Sequence, residues 1–146
     1  MTTNVHIVDN DKALNYVLAG NATFTLVSKD TERRFTYKMQ RSENNPHAYF
    51  VKLLYGPDNT SDYRYIGCYF DDSNTFYLVK TYRDNAEYTW PASIRAINYF
   101  LKNLDHLSNR LIVYHEGRCA RCGRKLTTPE SILDGIGPEC RRYVYG

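Results

Sequence analysis

The residues best suited to chemistry lie near the C-terminus, where three of the four cysteines of the chain fall close together. They form the pattern His-x3-Cys-x2-Cys-x17-Cys, made up of His115, Cys119, Cys122 and Cys140. Thiolates and imidazoles are ligands that zinc takes in tetrahedral sites, and Cys-x2-Cys followed by glycine is typical of a zinc knuckle. Gly123 supplies the positive φ that the tight turn of a knuckle requires. The spacing therefore predicts a Cys3His zinc site.

The spacing specifies the fourth ligand less tightly than the three cysteines. His115 would reach the ion from the strand that leads into the knuckle. Alternatively, Cys68, His47 or His106 could fold back as the ligand, with His115 a hydrogen-bonded histidine beside the site. The competing interpretation, three ordinary buried thiols, does not account for knuckle spacing. With four protein ligands the zinc would be structural, because a catalytic zinc keeps one position open for water.

The segment between the knuckle and the last cysteine predicts two short helices. Thr128 is a suitable N-cap, Pro129 suits the first helical position, and Gly135 suits the residue after the helix. A second helix beginning near Pro138 would place Cys140 in its first turn, where the helix dipole favours a thiolate. A knuckle followed by a ligand in the first turn of a helix is a treble-clef-like arrangement.

Residues 115–140 follow the pattern HEGRCxRCGRKLTxPESIxxGIGPEC. This pattern resembles an uncharacterised zinc-knuckle domain family that is widespread in bacteriophage, prophage and actinobacterial mobile-element proteins. Residues 20–37 also resemble small phage proteins that carry the same C-terminal segment. Such relatives usually have Thr-Gly in the first hairpin turn, whereas this chain has Thr31-Glu32. The resemblance implies a phage origin and a bound zinc, and it implies no activity.

The composition is that of an ordinary globular chain. Its 146 residues are 42% hydrophobic and 24% charged, which suits one modest domain or one domain with a small appendage. The N-terminus lacks the pattern of a signal peptide, and no window approaches eighteen apolar residues. We therefore expect a cytoplasmic protein without a membrane segment, in the host bacterium if the phage resemblance holds.

Hydrophobic periodicity predicts an α+β fold. Residues 9–20 predict a short helix, and apolar residues at three- and four-residue spacing predict one main helix at about 90–107. Period-two alternation predicts a five-stranded antiparallel sheet, with strands at 22–28, 35–39, 49–55, 63–70 and 75–81. A short strand at 111–114 then leads to His115. We expect an α+β domain at 1–110 and a zinc-binding knuckle domain at 111–146.

Basic and aromatic residues form two candidate binding surfaces. A basic collar around the predicted zinc could hold phosphates, and it consists of Arg118, Arg121, Arg124, Lys125, Arg141 and Arg142. On the predicted sheet, Arg33 and Arg34 lie near the first hairpin. Tyr63 and Tyr65 share one strand face, where aromatic rings could stack on unpaired bases. The alternative is that these rings are core residues covered by the main helix.

The sequence allows three classes of function to be compared, and an enzyme is the least favoured of them. The motifs of serine hydrolases, Walker-type nucleotide binders, zinc proteases and dinucleotide-binding enzymes are all missing, so we expect no enzyme. The preferred hypothesis is a phage-type zinc-binding protein that binds nucleic acid in an accessory or regulatory role. The alternative is an inhibitor that binds a host defence complex, as an anti-CRISPR-like or other anti-defence protein, because fourteen tyrosines also suit a protein interface. No small-molecule substrate is evident.

Overall fold

A computed structural model describes residues 6–9, 12–58, 61–104, 110–115, 117–126, 132–133 and 135–144. The strands are β1 (His6–Val8), β2 (Asn21–Ser28), β3 (Arg34–Arg41), β4 (Ala48–Leu54), β5 (Tyr63–Phe70), β6 (Thr75–Leu78) and β7 (Leu111–His115). The helices are α1 (Ala13–Val17), α2 (Lys80–Arg83), α3 (Ala92–Lys102) and α4 (Pro138–Val144), with a 3-10 turn at Glu87–Thr89.

All seven described strands form one antiparallel sheet in the order β1-β7-β2-β3-β4-β5-β6. The predicted α+β class and antiparallel sheet are confirmed, and the five predicted strands correspond to β2–β6. The predicted number of strands is wrong. β1 has only three residues, too few to show an alternation, and β7 joins the sheet through pairing with strands about ninety and more residues earlier in the chain.

One face of the sheet forms the core, because alternate residues of each strand point to the same side. The buried side chains of this face include Phe24, Leu26, Tyr37, Met39, Tyr49 and Val51. The aromatic ring of Phe100 in α3 lies 5.5 Å from that of Phe24. The Tyr37 hydroxyl donates a 2.6 Å hydrogen bond to the Ser93 carbonyl, and burial raises the pKa of Tyr37 far above its usual value.

The main helix, α3, is shorter than the predicted span of about 90–107. It follows Pro91 and ends at Lys102, while residues 105–109 lie outside the described part of the chain. Its apolar stripe is buried against the sheet at Ile94, Ile97 and Leu101. Full burial of each such side chain stabilises the fold by roughly 1.5–3 kcal/mol, so the packing of α3 on this face contributes to the stability of the core.

The C-terminal segment attaches to the same sheet. β7 lies between β1 and β2, so the sheet includes strands from both sides of the predicted boundary at residue 110. The Asn21 N–H donates to the Ala120 carbonyl at 2.6 Å, and the Ala120 N–H donates to Gly135 at 2.9 Å. Gly135 has φ 69°, and a Cβ there would lie 2.9 Å from the Tyr16 ring. The predicted cap at Thr128 and Pro129 falls outside the described residues.

The opposite face of the sheet carries no helix among the described elements, and we call it the open face. Its side chains on β2–β5 are half-buried or exposed, in contrast to the core face. Cross-strand pairing puts Lys38, Lys52 and Tyr65 in one row and Gln40 and Phe50 in the next. The open face consists of Thr23, Thr25, Val27, Arg34, Thr36, Lys38, Gln40, Phe50, Lys52, Leu54, Tyr63 and Tyr65.

The turn between β2 and β3 contains a non-glycine residue with a positive φ. Glu32 has φ 60°, and its N–H donates a 2.7 Å hydrogen bond to the Ser28 carbonyl. This is the position after Thr31 at which the sequence resemblance predicts glycine. The turn therefore keeps a left-handed residue even though the side chain disfavours that conformation. Across the described residues, no helix has both the length and the apolar character needed to span a membrane.

Candidate functional site

A tight hairpin positions the first two cysteines. Residues 118 and 125 form an antiparallel bridge, and the Cys119 N–H donates a 2.9 Å hydrogen bond to the Arg124 carbonyl. The Gly123 N–H returns to the Cys119 carbonyl at 2.9 Å, with Gly123 at φ 78°. The predicted need for glycine at the turn is met, since an L side chain rarely adopts this conformation.

The third cysteine reaches the hairpin from α4. Cys140 lies in the first turn of this helix, and its N–H donates to the Gly137 carbonyl at 3.1 Å. The sulfur atoms of Cys119, Cys122 and Cys140 all lie within 4.8 Å of one another. Thiolates around a tetrahedral zinc ion stand about 3.8 Å apart, given Zn–S bonds of about 2.3 Å. The three cysteines are thus close enough to hold a metal ion.

Hydrogen bonds at the cluster favour the thiolate form of Cys119. Burial raises the pKa of this thiol, but amide groups of Gly137, Cys122 and Arg121 outweigh burial, so the net pKa of Cys119 is lowered. The Arg121 guanidinium also donates to the Cys140 sulfur at 3.5 Å. The pKa of Cys122 is raised by burial, by hydrogen bonds with the Cys119 and Cys140 thiols, and by the negative charge of Cys119. A bound metal ion would offset the repulsion between the negatively charged sulfurs.

His115 lies outside the group of three sulfurs, so the structure brings together the three cysteines of the predicted Cys3His set and not the histidine. Its ring is buried, with Nε2–H donating to the Ile132 carbonyl at 2.7 Å and Nδ1 accepting the Gly117 N–H at 3.0 Å. A metal ligand needs a nitrogen lone pair directed at the ion, whereas here Nδ1 is directed at a backbone amide. The ring also lies 5.6 Å from that of Tyr16. The structure therefore shows His115 as a core histidine that fixes the start of the knuckle.

Within the described part of the chain, neither Cys68 nor His47 belongs to the cluster as a fourth ligand. Cys68 lies in β5 and is paired with Phe50 and Tyr77. His47 Nδ1 lies 2.8 Å from an Asp71 carboxylate oxygen. His106 falls outside the described residues. The candidate metal centre of the described chain is therefore the three-cysteine cluster.

The C-terminal unit is also the part of the chain for which a family match exists. Residues 112–145 match a family of unknown function, DUF6011. No curated protein matches the chain, and no solved structure does. The DUF6011 match begins within β7 and includes all three cysteines and α4. It therefore coincides with the metal centre and leaves β2–β6 outside.

The structure distributes the predicted basic collar over several surfaces. All six of its side chains are exposed, namely Arg118, Arg121, Arg124, Lys125, Arg141 and Arg142. Arg118 lines a cleft of about 210 Å³ together with Lys38 of the open face. Arg121 instead lines a cleft of about 380 Å³ with Arg41, beside α1. Arg118 is the collar residue that this geometry connects to the open face.

The residues predicted to bind on the sheet also lie on two different sides of it. Tyr63 and Tyr65 lie on the open face, and Tyr65 is 45% exposed, so these two rings are not covered by α3. Arg34 lies on the same face, 5.7 Å from the Tyr114 ring. Arg33 is directed to the other side, with its guanidinium 5.4 Å from the Phe35 ring.

Three residues of the open face were missed as site residues by the sequence interpretation. Lys38 Nζ lies 4.4 Å from the centre of the Tyr63 ring, within the range of a cation–π interaction. Lys52 lies between Lys38 and Tyr65 in the same row. Phe50 is 39% exposed and meets Tyr65 edge to face at 6.0 Å. The alternation within β3 and β4 contains this information, since the lysines occupy the polar phase of each strand.

Proposed function

We propose that Cys119, Cys122 and Cys140 supply three of the four ligands of a structural zinc ion, in a treble-clef-like unit made of the knuckle and α4. Thiolate ligands favour zinc over the hard cations that carboxylates bind. The burial of Cys119 and Cys140 supports a role in stability, since such a site is shielded from water on the side of the core. Zinc would then anchor a segment with a small core of its own.

We further propose that the protein binds nucleic acid through the open face. The observation that supports this most is the composition of the face as a unit. Its strand residues include three basic side chains, Arg34, Lys38 and Lys52, and no acidic one. Exposed rings lie directly beside these cations. A positive surface with accessible rings is the arrangement on which proteins stack unpaired bases while neutralising phosphates.

The cleft beside the knuckle extends this surface. Lys38 and Arg118 line it together, so cations continue from the sheet to the metal-binding hairpin. The zinc would hold the hairpin, and with it Arg118, in a fixed position relative to the strands. Rings that need unpaired bases favour a single strand over a duplex. We therefore propose single-stranded DNA or RNA as the ligand and a role that does not involve catalysis.

The test is fluorescence-anisotropy titration of a labelled single-stranded oligonucleotide with the full chain, at low and at physiological salt. Stacking on an aromatic ring contributes about 1–3 kcal/mol per base, so Tyr65→Ala should weaken binding by about 5- to 150-fold. Tyr88→Ala is the matched control, because Tyr88 is 84% exposed and lies in the 3-10 turn, which contributes no residue to the open face. Lys52→Ala should reduce the salt dependence, and Lys80→Ala on α2 should not.

A protein partner is the competing proposal for the same face. Aromatic residues are enriched in protein interfaces, and Phe50 and Tyr65 form an exposed pair. Absence of oligonucleotide binding at low salt, or equal effects of Tyr65→Ala and Tyr88→Ala, would contradict the nucleic-acid proposal. The face would then suit an inhibitor of a host defence complex. The phage origin rests on the sequence resemblance.

A further inference from the structure

A second cleft, on the core side of the sheet, gathers three arginines from separate parts of the chain. It lies between α3 and the β2–β3 turn and has a volume of about 390 Å³. Arg33 follows the turn, Arg95 lies on α3, and Arg110 precedes β7. The small side chains of Ala92 and Ala96 line the cleft on the α3 side and leave it open.

The charge of this cleft is strongly unbalanced. Among the described residues that line it, three are arginines and one, Asp30, is acidic. Within the described part of the chain, no carboxylate forms an ion pair with Arg33 or Arg95. The cleft thus concentrates positive charge, whereas the whole chain has a net charge of only +3.

The remaining lining offers flat and polar groups. The rings of Phe35 and Tyr99 line the cleft, and the side chains of Ser28 and Thr31 belong to its turn side. Guanidinium groups match the oxygens of phosphate with paired hydrogen bonds, and aromatic rings take a planar group. The volume lies in the range of small-molecule sites, which is about 300–1,000 Å³.

We propose that this cleft binds a small phosphorylated ligand with a planar part, of the class of nucleoside phosphates. The arginines take the phosphate, and the Phe35 and Tyr99 side takes the planar group. The site is separate from the proposed nucleic-acid surface. Arg33 lies over Phe35 on the core side, whereas Arg34 lies over Tyr114 on the open face. Ser28 and Asn21 are at opposite ends of β2, so the metal-binding hairpin lies at the far end of the strand.

The experiment is isothermal titration calorimetry of the full chain with inorganic phosphate, with inorganic pyrophosphate and with the four common nucleoside 5′-monophosphates. We expect saturable binding, with a nucleoside monophosphate binding more tightly than inorganic phosphate. Arg95→Ala should weaken it at least tenfold, because a charge-assisted contact to phosphate is lost. Arg95 is exposed on α3, where alanine favours the helix, so the variant keeps the fold. Arg83→Ala, on the exposed α2, is the matched control and should bind as the unaltered chain does.

Two oligonucleotides distinguish a free nucleotide from the end of a nucleic acid. A hexanucleotide with a 5′-phosphate is compared with the same hexanucleotide carrying a 5′-hydroxyl. A preference for the 5′-phosphate that Arg95→Ala abolishes assigns the site to a phosphorylated end. Binding of mononucleotides without this preference assigns it to free ligands.

Three results would overturn the proposal. The first is no saturable binding of any of these probes, and the second is that Arg95→Ala binds them as tightly as the unaltered chain does. The third is that Arg95→Ala weakens the binding of both hexanucleotides equally. The proposal for the open face is tested separately. Tyr65→Ala should leave pyrophosphate binding unchanged, and Arg95→Ala should leave binding of the 5′-hydroxyl oligonucleotide unchanged. Each proposal can therefore fail without the other.

Discussion

Substitution of His115 tests whether this histidine stabilises the fold or binds the metal ion. The buried ring donates to the Ile132 carbonyl and accepts the Gly117 N–H, and it packs beside Tyr16. In His115→Ala, the Ile132 carbonyl and the Gly117 N–H both lose their hydrogen bond to the ring, and each loss destabilises the fold by about 1–3 kcal/mol. The missing ring also leaves a cavity. We expect a loss of roughly 3–5 kcal/mol in the free energy of unfolding. At about 2–4 °C per kcal/mol, the melting temperature should fall by about 6–20 °C.

Two conservative variants make this prediction sharper. Gln at position 115 can retain a donor toward Ile132, and Asn can retain an acceptor for the Gly117 amide. Both should recover part of the stability that His115→Ala loses. The assays are thermal denaturation and zinc content by mass spectrometry after gel filtration. We expect one zinc ion per chain in both variants. Zinc loss from a folded His115→Gln or His115→Asn protein would refute the structural assignment and restore the Cys3His set.

Three other perturbations test the metal cluster and two of the positions that have a positive φ. Cys122→Ser should release the metal, whereas Cys68→Ser in β5 should retain it; equal zinc content in the two would contradict the cluster. Glu32→Gly should stabilise the protein by about 0.5–1 kcal/mol. Glycine removes the strain of the positive φ, and the larger backbone entropy of glycine in the unfolded chain offsets part of that stabilisation. Chemical denaturation measures the change, and a loss of stability would contradict this reasoning. Gly135→Ala should destabilise by about 2 kcal/mol or more, since the new Cβ meets the Tyr16 ring at a left-handed position; an unchanged denaturation midpoint would count against it.

The elements that could be predicted from the sequence are those whose partners are close in the chain. β2 to β6 follow one another through turns, and their alternation marks both the strands and the face that each side chain occupies. The strand at 111–114 was also predicted and is β7, but its place in the sheet was not, because the pairing of β1 with β7 joins residues more than a hundred positions apart. A three-residue strand carries too little pattern to reveal such a partner.

The metal cluster and His115 show the same limit at the level of single residues. Knuckle spacing brings two cysteines together by local turn geometry, and Cys140 completes the group from the first turn of a helix. The role of His115 depends instead on the Ile132 carbonyl, which no ligand spacing encodes. A histidine four residues ahead of a cysteine fits both roles equally well in sequence. The cleft of Arg33, Arg95 and Arg110 is likewise assembled from three distant segments.

Photo-crosslinking of the zinc-loaded protein to a single-stranded oligonucleotide that contains 5-iodouracil tests the central claim most directly. Iodouracil bases crosslink to aromatic side chains on which they stack, and mass spectrometry identifies the peptide. Our account predicts crosslinks within β4 and β5, at Phe50 or Tyr65, that added salt suppresses. Crosslinks confined to residues outside the open face, or the absence of any crosslinked species at low salt, would contradict it.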